Sequence, residues 1–196
     1  MQKLAQLKRN AVAFAVAMHN NQLVYLTGGT VEAAKQASIF RITENTWEET
    51  KPMMYGRFNH SSICLNEFVY VFGGFGNDGY IERMRAGSKE RWAVCYEPSD
   101  DLTKRSHSAV TVINSNNIAV FGGARDFKCL RDGYVLNTET LRIKTFLSSK
   151  TNKEFETTTH VQQISPAEYI TLGKGRDGII HLLQMKYSSE KKNYWT

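Results

Sequence analysis

FVYVFGG, residues 68–74, is the stretch on which the reading of this chain turns. A run of β-branched and aromatic residues stops at Gly73-Gly74, and Gly74-Phe75-Gly76-Asn77-Asp78-Gly79 then spells G-x-G-x-x-G. Taken alone, that spelling is a phosphate loop after a strand, which must open a helix inside a βαβ unit. The rest of the chain says otherwise. LVYLTGG (23–29), IAVFGG (118–123) and YITLGKG (169–175) repeat the same form, and the first glycines, Gly28, Gly73, Gly122 and Gly173, are spaced by 45, 49 and 51 residues. Self-similarity at such a period marks a repeat architecture.

The flanks repeat as well. Each glycine site is preceded by a second short apolar segment: AVAFAVAM (11–18), HSSICLN (60–66), HSAVTVIN (107–114) and HVQQISP (160–166). Polar turns such as HNNQ and NSNN join the two segments, the pattern of a β-hairpin. Lys3, Lys8 and Arg9 before AVAFAVAM imitate a signal peptide, but the repeat accounts for that run as a first hairpin strand. Each doublet is followed by another strand pair. Trp47 and Trp92 each stand eighteen residues past the second glycine, Leu141 takes that place in the third unit, and Trp195 follows a longer turn in the fourth. Helical periodicity is confined to TVEAAKQA (30–37), room for a turn or two. Four strands per 45–50 residues is the content of one propeller blade, so the expected fold is all-β.

The chain thereby resembles the kelch-repeat family. The resemblance rests on Gly28-Gly29 with Phe40 and Trp47, Gly73-Gly74 with Trp92, Gly122-Gly123 with Tyr134, and the inter-repeat text KPMMYGRFNHS (51–61), with Arg9, Arg57 and Arg105 preceding successive hairpins. It departs from the pattern at Gly173-Lys174 and at Leu141. It implies a kelch-type β-propeller of about four blades, each of four antiparallel strands, with repeat units at 9–56, 57–104, 105–156 and 157–196 of a single domain, 1–196. Kelch-like rings usually hold five to seven blades. Four units therefore imply a ring that is incomplete or completed by a partner, a second copy or further sequence, because an uncovered edge exposes unpaired backbone.

Chemistry is hard to find. The three cysteines, Cys64, Cys95 and Cys129, make neither a disulfide framework nor a metal-ligand spacing, so they read as ordinary thiols in a reducing compartment. A second G-x-G-x-x-G at 173–178 falls at the same place in another repeat, and one explanation serves both. No G-x-S-x-G, H-E-x-x-H or Walker sequence occurs. Some kelch-like propellers are enzymes, copper radical oxidases among them, but His60, His107 and His160 sit at hairpin starts rather than in a ligand set. We expect no enzyme, no cofactor, no metal and no catalytic residue.

The expected role is a non-catalytic protein-interaction module or scaffold subunit, binding through loops on one face of the ring. The net charge of +6 favours an acidic partner surface. The charged stretches after two doublets, 74–91 and 122–134, supply the candidate contacts: Arg83, Arg85, Arg125, Asp126, Phe127, Lys128 and Arg131, with Phe127 the apolar anchor. The structural repeat positions are Gly28, Gly29, Trp47, Gly73, Gly74, Trp92, Gly122, Gly123, Tyr134, Gly173 and Trp195. The alternatives are a substrate-recognition component of a ubiquitin ligase, although the BTB-type helical region that usually accompanies one is not read in these 196 residues, and a propeller enzyme. Nucleic acid is a less favoured partner, since the aromatics fall at core-like positions. No apolar run reaches 18 residues, so no membrane is expected. The expected location is cytoplasmic, with the cytoskeleton as one seat.

Overall fold

A computed structural model describes residues 3–7, 12–130, 132–147, 155–165, 168–175, 180–188 and 194–195, with 31, 146–147, 155–161, 171–175, 180–188 and 194–195 described by backbone only. Residues 1–104 and 105–196 form two compact units. The first holds two antiparallel sheets. Strands β1 (Ala15–His19), β2 (Leu23–Thr27), β3 (Ala37–Arg41) and β4 (Thr46–Glu49) lie in the order β1-β2-β3-β4; β5 (Ser61–Leu65), β6 (Phe68–Phe72), β7 (Ile81–Arg85) and β8 (Ala93–Tyr96) repeat that order. TVEAAKQA supplies one 3-10 turn, Val31–Ala33, between β2 and β3.

The hairpins form where the sequence puts Asn. Asn20 and Asn21, at φ of 49° and 55°, turn β1 into β2, with Gln22 N donating to His19 O. Two successive left-handed residues make the turn whose twist matches paired strands, and Asn tolerates that conformation best after Gly. Strand β1 runs alongside β5, and the faces between the two sheets bury Ala17, Tyr25, Ala37, Ile39, Met53, Val69, Val71, Met84 and Trp92. Full burial of each larger side chain contributes about 1.5–3 kcal/mol. The Tyr25 hydroxyl accepts a 2.6 Å bond from Gly87 N, tying the first sheet to the second.

The blade interface explains why two equivalent tryptophans differ. Trp92 lies on the face that meets the first sheet and is buried. Trp47 packs on Phe40, ring centroids 5.1 Å apart. Alternation along β3 turns Phe40 to the other face, away from the Ala37 and Ile39 side. There residues 3–7 lie over Trp47, whose Nε1 donates to Ala5 O, and the ring stays half-buried.

The second unit contains β9 (Ala109–Asn114), β10 (Asn117–Phe121), the two-residue strands β11 (Ala124–Arg125) and β12 (Lys128–Cys129), β13 (Asp132–Asn137) and β14 (Ile143–Leu147). β9, β10, β13 and β14 form one blade; β11 and β12 make a separate two-stranded sheet, a hairpin inserted after the doublet. Strands β15 (Phe155–Ser165), β16 (Glu168–Gly175), β17 (Ile180–Ser188) and β18 (Tyr194–Trp195) make the fourth blade, with β9 beside β15. Ala109, Ile113, Ala119, Phe121, Val135 and Tyr169 bury together between them. The fourth unit differs from its reading in one respect. Here the glycines lie within the strand: β16 includes Gly173-Lys174-Gly175, pairing as far as Phe155↔Gly175, whereas β2, β6 and β10 stop before their doublets. Without a doublet there is no left-handed pair to break the ladder. The side chain of Trp195 lies outside the described residues.

Candidate interaction surface

The second and third glycine doublets are each held by a buried arginine, while Arg9, at the corresponding place before the first hairpin, lies outside the described residues. Arg57, four residues before β5, folds its guanidinium back into its own blade, donating to Gly73 O and Tyr80 O at 3.1 Å each and to the Glu82 carboxylate. Both members of that ion pair are fully buried. Glu82 also accepts from Met54 N at 2.7 Å and Tyr55 N at 3.2 Å, which satisfies the desolvated carboxylate. Arg105 repeats the arrangement, donating to Gly122 O at 3.0 Å, Asp132 O at 3.3 Å and Asp132 Oδ1 at 3.2 Å, with its guanidinium carbon 5.2 Å from the Tyr134 ring centre. The clamp also explains the second glycine. A Cβ on Gly74 would stand 2.8 Å from Phe58 O and 2.7 Å from His60 Cβ; one on Gly123 would stand 2.4 Å from Ser106 O.

Aligning the two clamps corrects the histidine register. Arg57 matches Arg105, so left-handed Asn59 (φ 52°) matches left-handed His107 (φ 54°), and His60 matches Ser108. His60 and His107 are thus not equivalent, although the shared His-Ser spelling aligns them. His60 is buried and shares a 2.8 Å hydrogen bond with Thr27 Oγ1. Burial, and secondarily the Arg57 charge, hold its pKa down to about 3, so it stays neutral. His107 is half-buried and less desolvated, and its pKa is lowered too. The His160 side chain lies outside the described residues.

Beyond the clamps the two loops diverge. In the second blade, Asn77 fills the hollow that the G-x-G-x-x-G spelling suggests for a phosphate. Its Nδ2 donates to Gly73 O and Gly74 O, and its Oδ1 accepts from Gly79 N at 2.8 Å. No helix follows; the chain enters β7. The loop is zipped to the incoming linker by two aromatic pairs, Tyr55 on Tyr80 at 4.3 Å and Phe58 on Phe75 at 5.2 Å. In the third blade the chain projects instead. Ser106 and Ala124 exchange two 2.9 Å backbone bonds and Leu130 N donates to Gly123 O, bracing the base of the β11–β12 hairpin. Its tip is Asp126-Phe127, both left-handed at φ of 50° and 59°, and Phe127 is 99% exposed. A bulky residue held there costs about 1–2 kcal/mol.

The seven candidate contacts therefore separate. Arg125, Asp126, Phe127 and Lys128 stand together on this hairpin, while Arg131 lies outside the described residues. Arg83 and Arg85 are not in a loop. They stand on β7, toward the end of the sheet away from the doublet, where Phe68 pairs with Arg85. Arg83 lies 4.5 Å over the Phe68 ring and Arg85 pairs with Glu67 at 3.0 Å. A dense charge run predicts a loop, yet long cationic side chains cover strand surface readily with their stems. The β11–β12 hairpin escaped the sequence reading because Asp-Phe lacks the glycine that normally announces a two-residue turn. The Arg57–Glu82 pair left no signal beyond the arginine's place in the repeat.

Burial raises the Cys64 thiol to about 12 and the Cys95 thiol to about 11, which leaves neither as a nucleophile at neutral pH. Among the described residues no group of three or more His, Cys, Asp or Glu side chains comes together in a metal-binding cluster, and no helix is long and apolar enough to cross a membrane.

No family model matches the chain. It is similar to human Kelch-like protein 30, 37% identical over 67 residues, covering 31% of this chain and 11% of that protein. It is 27% identical to human Kelch-like protein 23 over 106 residues, 51% of this chain and 18% of that one. It is 28% identical to beta-scruin of Limulus polyphemus over 67 residues, 30% of this chain and 7% of that one. The aligned stretches thus span about a fifth or less of these relatives' own length. Glycine doublets at blade-length spacing and four-stranded antiparallel blades are joined by similarity to kelch-repeat proteins, and the chain is built of kelch-like β-propeller blades.

Proposed function

We propose that residues 1–196 work as one non-catalytic protein-interaction module, a scaffold or complex subunit that binds through the loops beyond its glycine doublets. One observation carries this reading. The same arginine clamp supports a loop filled by Asn77 in one blade and an exposed hairpin in another, so the frame is constant and its display varies. The partner is a protein with an acidic surface, in keeping with the net charge of +6. A second copy completing the ring and nucleic acid are outcomes to be separated from it. The seat is cytoplasmic, with the cytoskeleton among its candidates. Affinity capture of the full chain at physiological salt, identification by mass spectrometry and rebinding of the purified pair test the proposal. We expect a stoichiometric complex. A chain that binds nothing above an unfolded control, or that carries out turnover with a bound metal, overturns it.

A second reading is favoured by the similarity to human Kelch-like proteins 30, 23 and 38. Here the module selects substrates for a ubiquitin ligase, as the family resemblance permits. It requires the captured partner to be ubiquitylated less and to live longer when this chain is depleted.

A further inference from the structure

Four consecutive residues, Arg125 to Lys128, combine three features that each oppose a stable isolated hairpin. Phe127 occupies the second position of a two-residue turn, where a left-handed backbone suits glycine. Its ring is 99% exposed, the largest such value among the exposed large hydrophobic residues described. Arg125 and Lys128 are direct partners in the β11–β12 register, which sets two cations side by side across the strands. Such local conflicts persist where the surroundings fix them, and here the Ser106–Ala124 pair and the Leu130–Gly123 bond close the hairpin's base. β12 also runs beside β15. The tip is therefore a pre-set knob, with little further ordering needed when it is covered.

We propose that Phe127 is an anchor that enters an apolar socket on a partner protein whose rim carries carboxylates facing Arg125 and Lys128. This rests on the interaction-module reading above and names the site and chemistry through which it acts. The ring gains by leaving water and carboxylates offset the like charge of the Arg125–Lys128 pair, so the residues that oppose the free hairpin favour the complex. A basic groove or an uncharged one does not answer the Arg125–Lys128 pair. A nucleic-acid strand would meet the cations but offers no socket for a ring aimed outward on a turn.

The test uses the full chain with a photoreactive benzoyl-phenylalanine placed at 127 or, as a control, at 85 on β7. Crosslinked protein is identified by mass spectrometry, purified, and titrated against Phe127→Gly, Phe127→Trp and Arg125→Gln/Lys128→Gln. We expect crosslinking at 127 and not at 85. Phe127→Gly should weaken binding at least tenfold while its midpoint of unfolding holds or rises, since glycine relieves the turn. Phe127→Trp should retain binding. The double glutamine variant should bind more weakly and lose most of its salt dependence. Full binding by Phe127→Gly, or crosslinking at 85 alone, overturns the anchor while leaving the module reading standing. Failure of the unmodified chain to bind any protein overturns both.

Discussion

The second and third blades begin alike and finish differently. Both fold an arginine onto the first carbonyl of a glycine doublet. Arg57 meets Glu82, set inside β7 and fully buried, whereas Arg105 meets Asp132, at the mouth of β13 and 27% exposed. The carboxylate's position sets what the loop can do. Glu82 also collects two amides of the incoming linker, so linker, loop and strand are bound into one knot. The Asp132 carboxylate serves only Arg105 among the bonds described, and residues 124–129 rise as a hairpin. A repeat can thus keep its frame and change its display by moving one acid along a strand.

The largest effect should come from breaking the clamps. Arg57→Ala strands a buried carboxylate and should cost about 3–5 kcal/mol, whereas Arg105→Ala should cost about half as much because water reaches Asp132. Denaturant midpoints of the two variants measure the gap, and equal losses would break the contrast. Next come the glycines. Gly123→Ala and Gly74→Ala drive a Cβ into backbone oxygen and hold alanine left-handed, a loss on the order of 2–3 kcal/mol for each, again read from unfolding midpoints.

The third effect is a pH dependence. The pKa of His60 is near 3 in the folded chain, far below the ordinary imidazole value. Above about pH 6.5 both folded and unfolded chains hold it neutral and it contributes no slope. Below that, the unfolded chain takes up a proton that the native state refuses, so stability falls progressively toward pH 3, by about 2 kcal/mol at pH 5. His60→Gln should flatten the stability profile between pH 6 and 4, and His107→Gln, whose imidazole is less desolvated, should flatten it less. An unchanged slope in His60→Gln would show that another group titrates there. The smallest pair concerns the loops themselves. Asn77→Ala should lose about 1–2 kcal/mol with its bonds to Gly73, Gly74 and Gly79. Phe127→Gly should change the melting point slightly or upward, since relief of a left-handed side chain is worth about 1 kcal/mol.

What could be read in the sequence was whatever repeats. Gly28, Gly73 and Gly122 with their second glycines, the Asn turns and Trp92 recur at fixed offsets because each blade must solve the same packing problem. Trp47 was legible as a repeat position but not as half-buried, since its cover is the 3–7 segment, which belongs to no repeat. His60 and His107 show the limit of matching by spelling, because backbone conformation aligns Asn59 with His107 instead. Arg83 and Arg85 were misplaced for a related reason: a strand whose partners are Phe68 and Tyr70 can carry charge on its outer face without alternating cleanly. Glu82 was invisible because its burial depends on Arg57, 25 residues earlier, and no local pattern records that debt.

The bond from Gly87 N to the Tyr25 hydroxyl spans 62 residues and joins two repeats that look independent on paper. Its consequence is mechanical. Pulling on either end of residues 15–96 loads β1 to β4 and β5 to β8 together, so the two blades should yield in one event rather than as two successive rips. A repeat is the unit in which this sequence is written, but a pair of repeats is the smallest piece that should resist force.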